Sequence, residues 1–166
     1  MKNGIIGILN YALTKEIEGR EFYKAKMDSL SNPELKTIFH TLANMEQGHV
    51  EYIKRLIETY ENSESLEVDF EESQENIFEK RELEEITGGT VSNMTLDLTV
   101  LKMGYMIEDD FMKFYLKAAE SVEDKEAKEL FLKLAKWEEH HRDTLYEYYK
   151  RLSDEYWTNM NFTPLY

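Results

Sequence analysis

Two short segments of this chain carry the same pair of metal-ligating residue types at the same spacing. The segments LANMEQGH at 42–49 and LAKWEEHH at 134–141 lie 92 positions apart, and each places a Glu three residues before a His. On an α-helix, residues three apart lie on one face, so the two side chains can reach the same ion. The pattern therefore predicts two helices that each offer one carboxylate and one imidazole.

The same offset relates a second pair of acidic residues. Glu16 and Glu108 also lie 92 positions apart, and each precedes a tyrosine, Tyr23 or Tyr115, by two helical turns. Four helices of this kind can direct four carboxylates and two imidazoles into one core, which is the ligand set of a carboxylate-bridged di-iron or di-manganese centre. The predicted ligands are Glu16, Glu46, His49, Glu108, Glu138 and His141.

Charge balance favours two metal ions over one. Burying four carboxylates without cations is strongly unfavourable, and two divalent ions would balance their charge. Carboxylates with imidazoles suit iron or manganese better than copper or the metals that prefer thiolates. We therefore expect two divalent metal ions, with iron and manganese as the best fits and another divalent metal as the alternative.

Each motif alone has an ordinary explanation. Glu is so frequent here that a single Glu-x-x-His can arise by chance, and such a pair would more often lie on the surface than bind a metal. What favours a metal site is that both pairs recur at the same offset of 92 residues. Tyr23 and Tyr115 are either core aromatics or hydroxyl groups that hydrogen-bond a ligand carboxylate and help to supply protons. Five methionines are assigned to the core as filler: Met27, Met45, Met103, Met106 and Met112.

Helical periodicity covers most of the chain, and strand-like alternation is scarce. The second helix has a clear start, because Asn32 can cap it and Pro33 suits its first turn. The pattern predicts helices at about 4–30, 33–60, 93–121 and 124–155.

The connection between the second and third helices is long. Residues 61–93 break the helical pattern and predict a crossover, with a short helix at about 74–86, that links opposite ends of a bundle. Disorder is the alternative for so acidic a segment, although Phe70, Ile77 and Phe78 could dock on the bundle. The aromatic tail, from about 156 to 166, is expected to pack on the bundle or on a second subunit. Residues 1–166 are thus predicted to form one all-α domain, a four-helix bundle with one long crossover.

Composition narrows the function. The chain has 166 residues, no Cys and a formal net charge of −14. Without thiols it cannot itself form a disulfide, an iron–sulfur cluster or a Cys₄ iron site. No basic stripe indicates nucleic-acid binding, and no segment approaches the roughly 20 apolar residues that cross a membrane. Residues 1–13 are interpreted as the first turns of the first helix rather than as a signal peptide, and we expect a cytoplasmic protein.

The combined motifs resemble the rubrerythrin-like branch of the ferritin-like superfamily. The resemblance spans about residues 9–152 and rests on ExxGxxxY at 16–23, ExxH at 46–49, the Glu108–Tyr115 pair and ExxH at 138–141. It implies a ferritin-like bundle with two irons. In that arrangement Glu46 and Glu138 bridge the ions, the other two carboxylates are terminal ligands, and each His faces one iron.

The resemblance also implies an oxidoreductase that reduces hydrogen peroxide or dioxygen with electrons from an external donor protein, and we expect a homodimer. Two family features do not match. The cysteines of a rubredoxin domain are absent, and Phe111 stands where typical members carry an extra Glu, one turn after the third-helix ligand. The alternatives are a ferroxidase or iron-handling protein, for which iron is the substrate, and a non-catalytic metal-binding bundle.

Overall fold

A computed structural model describes residues 2–63, 65–68 and 91–160. The described residues contain four α-helices and no β-strand, which confirms the all-α prediction. The helices are α1 (Lys2–Met27), α2 (Pro33–Ser63), α3 (Val91–Ser121) and α4 (Lys125–Asn159).

The predicted helix boundaries differ from the observed ones by at most four residues. The largest difference is at the end of α4, which continues through residues 156–159, a stretch that the sequence assigned to the tail. The predicted short helix at 74–86 and the rest of the tail, 161–166, lie outside the described residues.

The predicted helix start at Asn32 is confirmed in detail. Its side-chain Oδ1 accepts hydrogen bonds from the backbone N–H groups of Glu34 and Leu35, at 2.8 and 3.3 Å, and Pro33 opens α2. Asp124 plays the same role for α4, because its Oδ1 accepts from the backbone N of Ala127 at 2.9 Å. Both turns therefore satisfy helix N-termini that would otherwise lack acceptors.

Side-chain contacts define the helix directions. Lys2 at the start of α1 bonds the carbonyl of Glu61 near the end of α2, so these helices are antiparallel. Contacts from Met94 to Asn159 and from Met112 to Arg142 make α3 and α4 antiparallel as well. Helix α1 also lies beside α3, in the opposite direction. The end of α2 and the start of α3 therefore lie at opposite ends of the bundle, as the predicted crossover requires.

Two apolar clusters fill the bundle, one towards each end. The first contains Leu9, Ile53 and Leu134, and the second contains Leu42, Leu101 and Leu145. On every helix the predicted metal ligands fall between the two clusters. The core is thus divided by a layer of buried acids and imidazoles, and that layer is the candidate site.

An unexpected contact ties the two helix hairpins together. Asp97 on α3 is buried, and its carboxylate accepts hydrogen bonds from the backbone N of Ser31 at 2.7 Å and of Asn32 at 3.1 Å. The α1–α2 turn is therefore fastened to α3 at the end of the bundle where α3 begins.

The methionine prediction was wrong for two residues. Met103 and Met106 are 41% and 54% exposed, whereas Met27, Met45 and Met112 are partly buried. Met106 and Met103 lie about 160° and 140° around the helix axis from Glu108, so they face outward when Glu108 faces the core. None of the described helices combines the length and apolar character needed to cross a membrane.

Candidate metal centre

The six predicted ligands meet in the middle of the bundle, and none is more than 1% exposed. Each helix brings its share: Glu16 from α1, Glu46 and His49 from α2, Glu108 from α3, and Glu138 and His141 from α4. The structure thus places together all six residues that the sequence selected. Their role as metal ligands stays a prediction.

Within the described residues the six side chains form two overlapping groups. One contains Glu16 and His49, the other contains Glu108 and His141, and both include Glu46 and Glu138. In each group, one ligand atom from every residue lies within 4.8 Å of the others. A pair of adjacent ions is expected to have this arrangement, in which two carboxylates belong to both groups and each group has one further carboxylate and one imidazole of its own.

The distances around the imidazoles show the near-symmetry of the two groups. His49 Nδ1 lies 3.2 Å from Glu16 Oε2, 3.3 Å from Glu46 Oε2 and 3.4 Å from Glu138 Oε1. His141 Nδ1 lies 3.3 Å from Glu46 Oε1, 3.4 Å from Glu138 Oε2 and 3.6 Å from Glu108 Oε2. Each imidazole therefore faces one oxygen of both shared carboxylates and one oxygen of its own terminal carboxylate.

The two tyrosines hydrogen-bond across the halves of the chain. The Tyr23 hydroxyl on α1 donates to Glu108 on α3, and the Tyr115 hydroxyl on α3 donates to Glu16 on α1. Gly104 packs closely beside Leu145 and Tyr23, since a Cβ there would lie 3.3 Å from Leu145 Cδ1 and 3.4 Å from the Tyr23 ring. The structure places both hydroxyls at the terminal carboxylates, where the sequence had left core packing as an alternative.

Aromatic stacking covers one side of the imidazoles. The His49 and His141 rings are nearly parallel, with centroids 5.3 Å apart, and Trp137 stacks on His49 at 5.1 Å. The sequence alone did not single out Trp137 as a neighbour of His49. Its position beside Glu138 in the chain was the available signal.

Without a metal, burial and mutual repulsion govern the terminal carboxyls. Burial, reinforced by Glu138 and Glu46, raises the pKa of Glu16 well above its ordinary value. Burial and the charge of Glu46 raise the pKa of Glu108 to about 8. The same two causes, burial and nearby carboxylates, raise the pKa of Tyr23 and of Tyr115, so both phenols remain protonated at neutral pH.

The shared carboxylates and the imidazoles shift the other way, towards their charged forms. Burial alone would raise the pKa of Glu46 and of Glu138, but the imidazoles of His49 and His141 outweigh it and hold both below the ordinary value. Burial alone would lower the pKa of each His, yet the surrounding carboxylates raise it well above its ordinary value. In the metal-free core the shifts thus favour ionised Glu46 and Glu138 beside protonated imidazoles.

Unsatisfied polar atoms show that these residues fit a pair of cations. Seven buried side-chain atoms within the described ranges have no hydrogen-bond partner: both carboxylate oxygens of Glu46 and of Glu138, Glu108 Oε2, and both ring nitrogens of His141. The 3.3–3.6 Å distances from His141 lack hydrogen-bond geometry. Buried polar atoms normally find partners. The carboxylate oxygens and His141 Nδ1 lie close together among the candidate ligand atoms, where divalent cations would satisfy them.

Fold and site together define a four-helix bundle with a candidate two-metal centre of carboxylates and imidazoles. The family model described as Rubrerythrin matches residues 7–149, most of the chain. The protein therefore belongs to the rubrerythrin family, which confirms the resemblance seen in the sequence.

A solved structure agrees with this assignment. A hypothetical protein from Pyrococcus furiosus is 25% identical in sequence, with 90% of each chain covered and a TM-score of 0.65. Among curated proteins, none matches the chain. The structural similarity supports the ferritin-like fold, and the family together with the Glu/His cluster indicates a di-metal site.

Proposed function

We propose that this protein is a di-iron oxidoreductase that reduces hydrogen peroxide, and more slowly dioxygen, with electrons from an external donor protein. The observation that carries the proposal is the pair of carboxylates, Glu46 and Glu138, shared between two His-containing groups of buried ligands. Membership of the rubrerythrin family supports the same reaction class.

The residues have distinct tasks in this proposal. Glu46 and Glu138 would each contact both ions, while Glu16 with His49 and Glu108 with His141 would complete one ion each. When bound, two ferrous ions supply the two electrons that, with two protons, convert one hydrogen peroxide into two water molecules. The protein keeps bulk water away, because all six ligands are buried.

Tyr23 and Tyr115 would position the terminal carboxylates and keep their protons near the reacting oxygen atoms. Each hydroxyl donates to a carboxylate, and burial and nearby carboxylates raise the pKa of each phenol. A neutral phenol at that position keeps a proton beside the carboxylate, and the hydrogen bond between them is a path along which that proton can move. The phenols would thus hold protons close to the carboxylates of the buried site.

One observation favours a second candidate, a ferroxidase or iron-handling protein. The net charge of −14 concentrates cations around the molecule and would favour iron as a substrate. Complete burial of the six ligands favours retained ions instead. The two functions differ in whether iron leaves the site after oxidation.

Stopped-flow oxidation of anaerobically reduced, iron-loaded protein tests the proposal. We expect hydrogen peroxide to oxidise the site faster than dioxygen, with the iron retained. Glu138→Gln should abolish the fast phase, whereas Glu139→Gln, the exposed neighbour, should preserve it. Faster reaction with dioxygen, followed by accumulation of ferric mineral, would establish the iron-handling function instead.

A further inference from the structure

An aromatic ring lies beside the site, between α1 and α3. Phe111 on α3 is 4% exposed and faces Gly19 on α1. A Cβ on Gly19 would lie 2.9 Å from Phe111 Cε2, closer than real Cβ contacts allow, and 3.8 Å from Glu46 Cδ. Gly19 therefore leaves a gap one side chain wide beside the Glu46 carboxylate, and the Phe111 ring fills it.

The near-symmetry of the chain is broken at this point. The offset of 92 that relates the ligands also relates Gly19 to Phe111, so one half of the chain supplies the ring and the other supplies the space for it. Lys15 lies on the ring as well, with Nζ 5.1 Å from the Phe111 centroid and 5.4 Å from that of Tyr11. An ammonium over an aromatic face is attractive, so Lys15 holds the ring in its closed position.

The α2–α4 side of the site is covered more heavily. There Trp137 stacks on His49, and Tyr52 lies 5.6 Å from Trp137, with both outer rings at most 5% exposed. On that side two large rings lie outside the His49 imidazole. On the α1–α3 side the atoms nearest to a Cβ on Gly19 belong first to Phe111 and then to the Glu46 carboxylate.

We propose that Phe111, seated on Gly19, is the gate of the metal centre and selects small uncharged oxidants. This inference rests on the proposed function. Rotation of one ring opens a gap wide enough for hydrogen peroxide or dioxygen. The same apolar ring excludes bulky organic hydroperoxides and opposes the passage of hydrated cations, so it also retains the metal ions.

Metal extraction tests the gate without any redox turnover. Protein loaded with Zn²⁺ is mixed with excess chelator, and the rate of metal release is followed with a chromogenic zinc indicator. Phe111→Ala should accelerate release by about tenfold or more, a modest lowering of a barrier. Phe131→Ala is the matched control. Phe131 is a fully buried ring on α4, two turns before Glu138, and it lies in the apolar core rather than between α1 and α3.

Phe111→Leu gives a second variant in case the Ala variant does not fold, as judged by circular dichroism. It keeps an apolar side chain in the gap and should accelerate release by less than Phe111→Ala does. Wild-type release rates in whichever Phe111 variant folds, or an equal acceleration in Phe131→Ala, would overturn the gate.

The size of the oxidant tests the selectivity. In the iron-loaded, reduced protein, Phe111→Ala should raise the rate of oxidation by cumene hydroperoxide by about tenfold relative to the rate with hydrogen peroxide. An unchanged ratio of the two rates overturns the selectivity. If the wild type fails to react with hydrogen peroxide, the proposed function fails, while the zinc-release result still decides whether Phe111 is a gate.

Discussion

The hydroxyl groups of Tyr23 and Tyr115 each hold a carboxylate that belongs to the other half of the chain. This exchange fixes the orientation of Glu108 and of Glu16 before any metal arrives. Partners of ligand carboxylates matter because they keep the ligand oxygen pointing at the metal position. The tyrosines therefore contribute both to the folded core and to the metal affinity.

Replacing either tyrosine by Phe tests this role. Tyr23→Phe and Tyr115→Phe each remove one donor from a buried carboxyl, so the metal-free protein should lose about 1–3 kcal/mol of stability. Metal affinity should fall by about 10–100-fold, as for other residues that orient ligands. Competition with a chromophoric chelator for Co²⁺ measures the affinity. Tyr146→Phe, which changes an exposed ring, is the control. If Tyr23→Phe and Tyr115→Phe both bind Co²⁺ as tightly as Tyr146→Phe does, the tyrosines do not orient the carboxylates.

At the residue scale, the sequence identified the six residues that cluster in the core but not their neighbours. The repeated offset marked all six, because a shared register on four helices carries information that no single Glu-x-x-His has. It could not show that Tyr23 reaches Glu108, since helical spacing gives the face of a residue but not the helix that this face meets. The same limit explains Trp137, whose contact with His49 crosses from α4 to α2.

Among the elements, the turn between α1 and α2 depends on a residue from α3. Asp97 accepts hydrogen bonds from the backbone N–H groups of Ser31 and Asn32. These two residues lie just before α2, where no helical carbonyl is available to their N–H groups. The carboxylate therefore satisfies donors of one hairpin and joins it to the other. Because Asp97 is buried, loss of the carboxylate would leave those donors unpaired.

Asp97→Ala should accordingly destabilise the metal-free protein by about 1–3 kcal/mol, the cost of leaving buried donors unsatisfied. Denaturant unfolding followed by circular dichroism measures the change. Asp110→Ala, on the exposed face of the same helix, should stay within about 0.5 kcal/mol of the wild type. Similar losses in the two variants would mean that Asp97 contributes only as a surface charge does.

The sequence predicted the helices well and their mutual contacts poorly. Asn32 and Pro33 correctly predict the start of α2, because capping is an interaction between residues that are close in the chain and does not depend on the other helices. Asp97 gave no such signal, since its partners are more than 60 residues away in the chain. Met103 was misplaced for a related reason, because apolar character alone does not say which face of a helix is buried.

Over the whole molecule, the two halves supply equal shares of one site. Each half gives two carboxylates, one imidazole and one tyrosine, and each tyrosine serves the other half. Neither helix hairpin, α1–α2 or α3–α4, contains all the candidate ligands of the two ions. The geometry therefore couples assembly of the bundle to metal binding, as expected where ligands converge only in the folded state.

This arrangement predicts two metal ions per chain, about 3.5–4 Å apart as in other two-metal sites. Elemental analysis of protein purified without oxygen gives the number, and X-ray absorption spectroscopy gives the separation. His141→Ala should weaken one ion position more than the other, whereas His140→Ala, at the exposed neighbour, should leave both intact. A single ion per chain, or ligands outside the six, would contradict the two-metal site.

The charge state of the core predicts opposite pH dependences for the metal-free and metal-loaded protein. The pKa of Glu108 is raised from its ordinary value of 4.5 to about 8, so between those values the folded state holds a proton that the unfolded chain has lost. The raised pKa of Glu16 and of the imidazoles acts in the same direction. The metal-free bundle should therefore lose stability as pH rises from about 5 to 8, by about 1.4 kcal/mol per pH unit for each proton retained.

Below about pH 4.5 the trend should reverse, because the lowered pKa of Glu46 and of Glu138 stabilises the fold only while both remain ionised. Metal binding needs deprotonated ligands, so the stabilisation that Zn²⁺ confers should grow over the range in which the metal-free protein weakens. Thermal melts with and without Zn²⁺, from pH 5 to 8, measure both trends. Glu108→Gln mimics the protonated carboxyl, and it should flatten the metal-free trend while reducing metal affinity. A metal-free melting temperature that rises from pH 5 to 8, or a Glu108→Gln variant with the wild-type slope, would show that the core does not hold these protons.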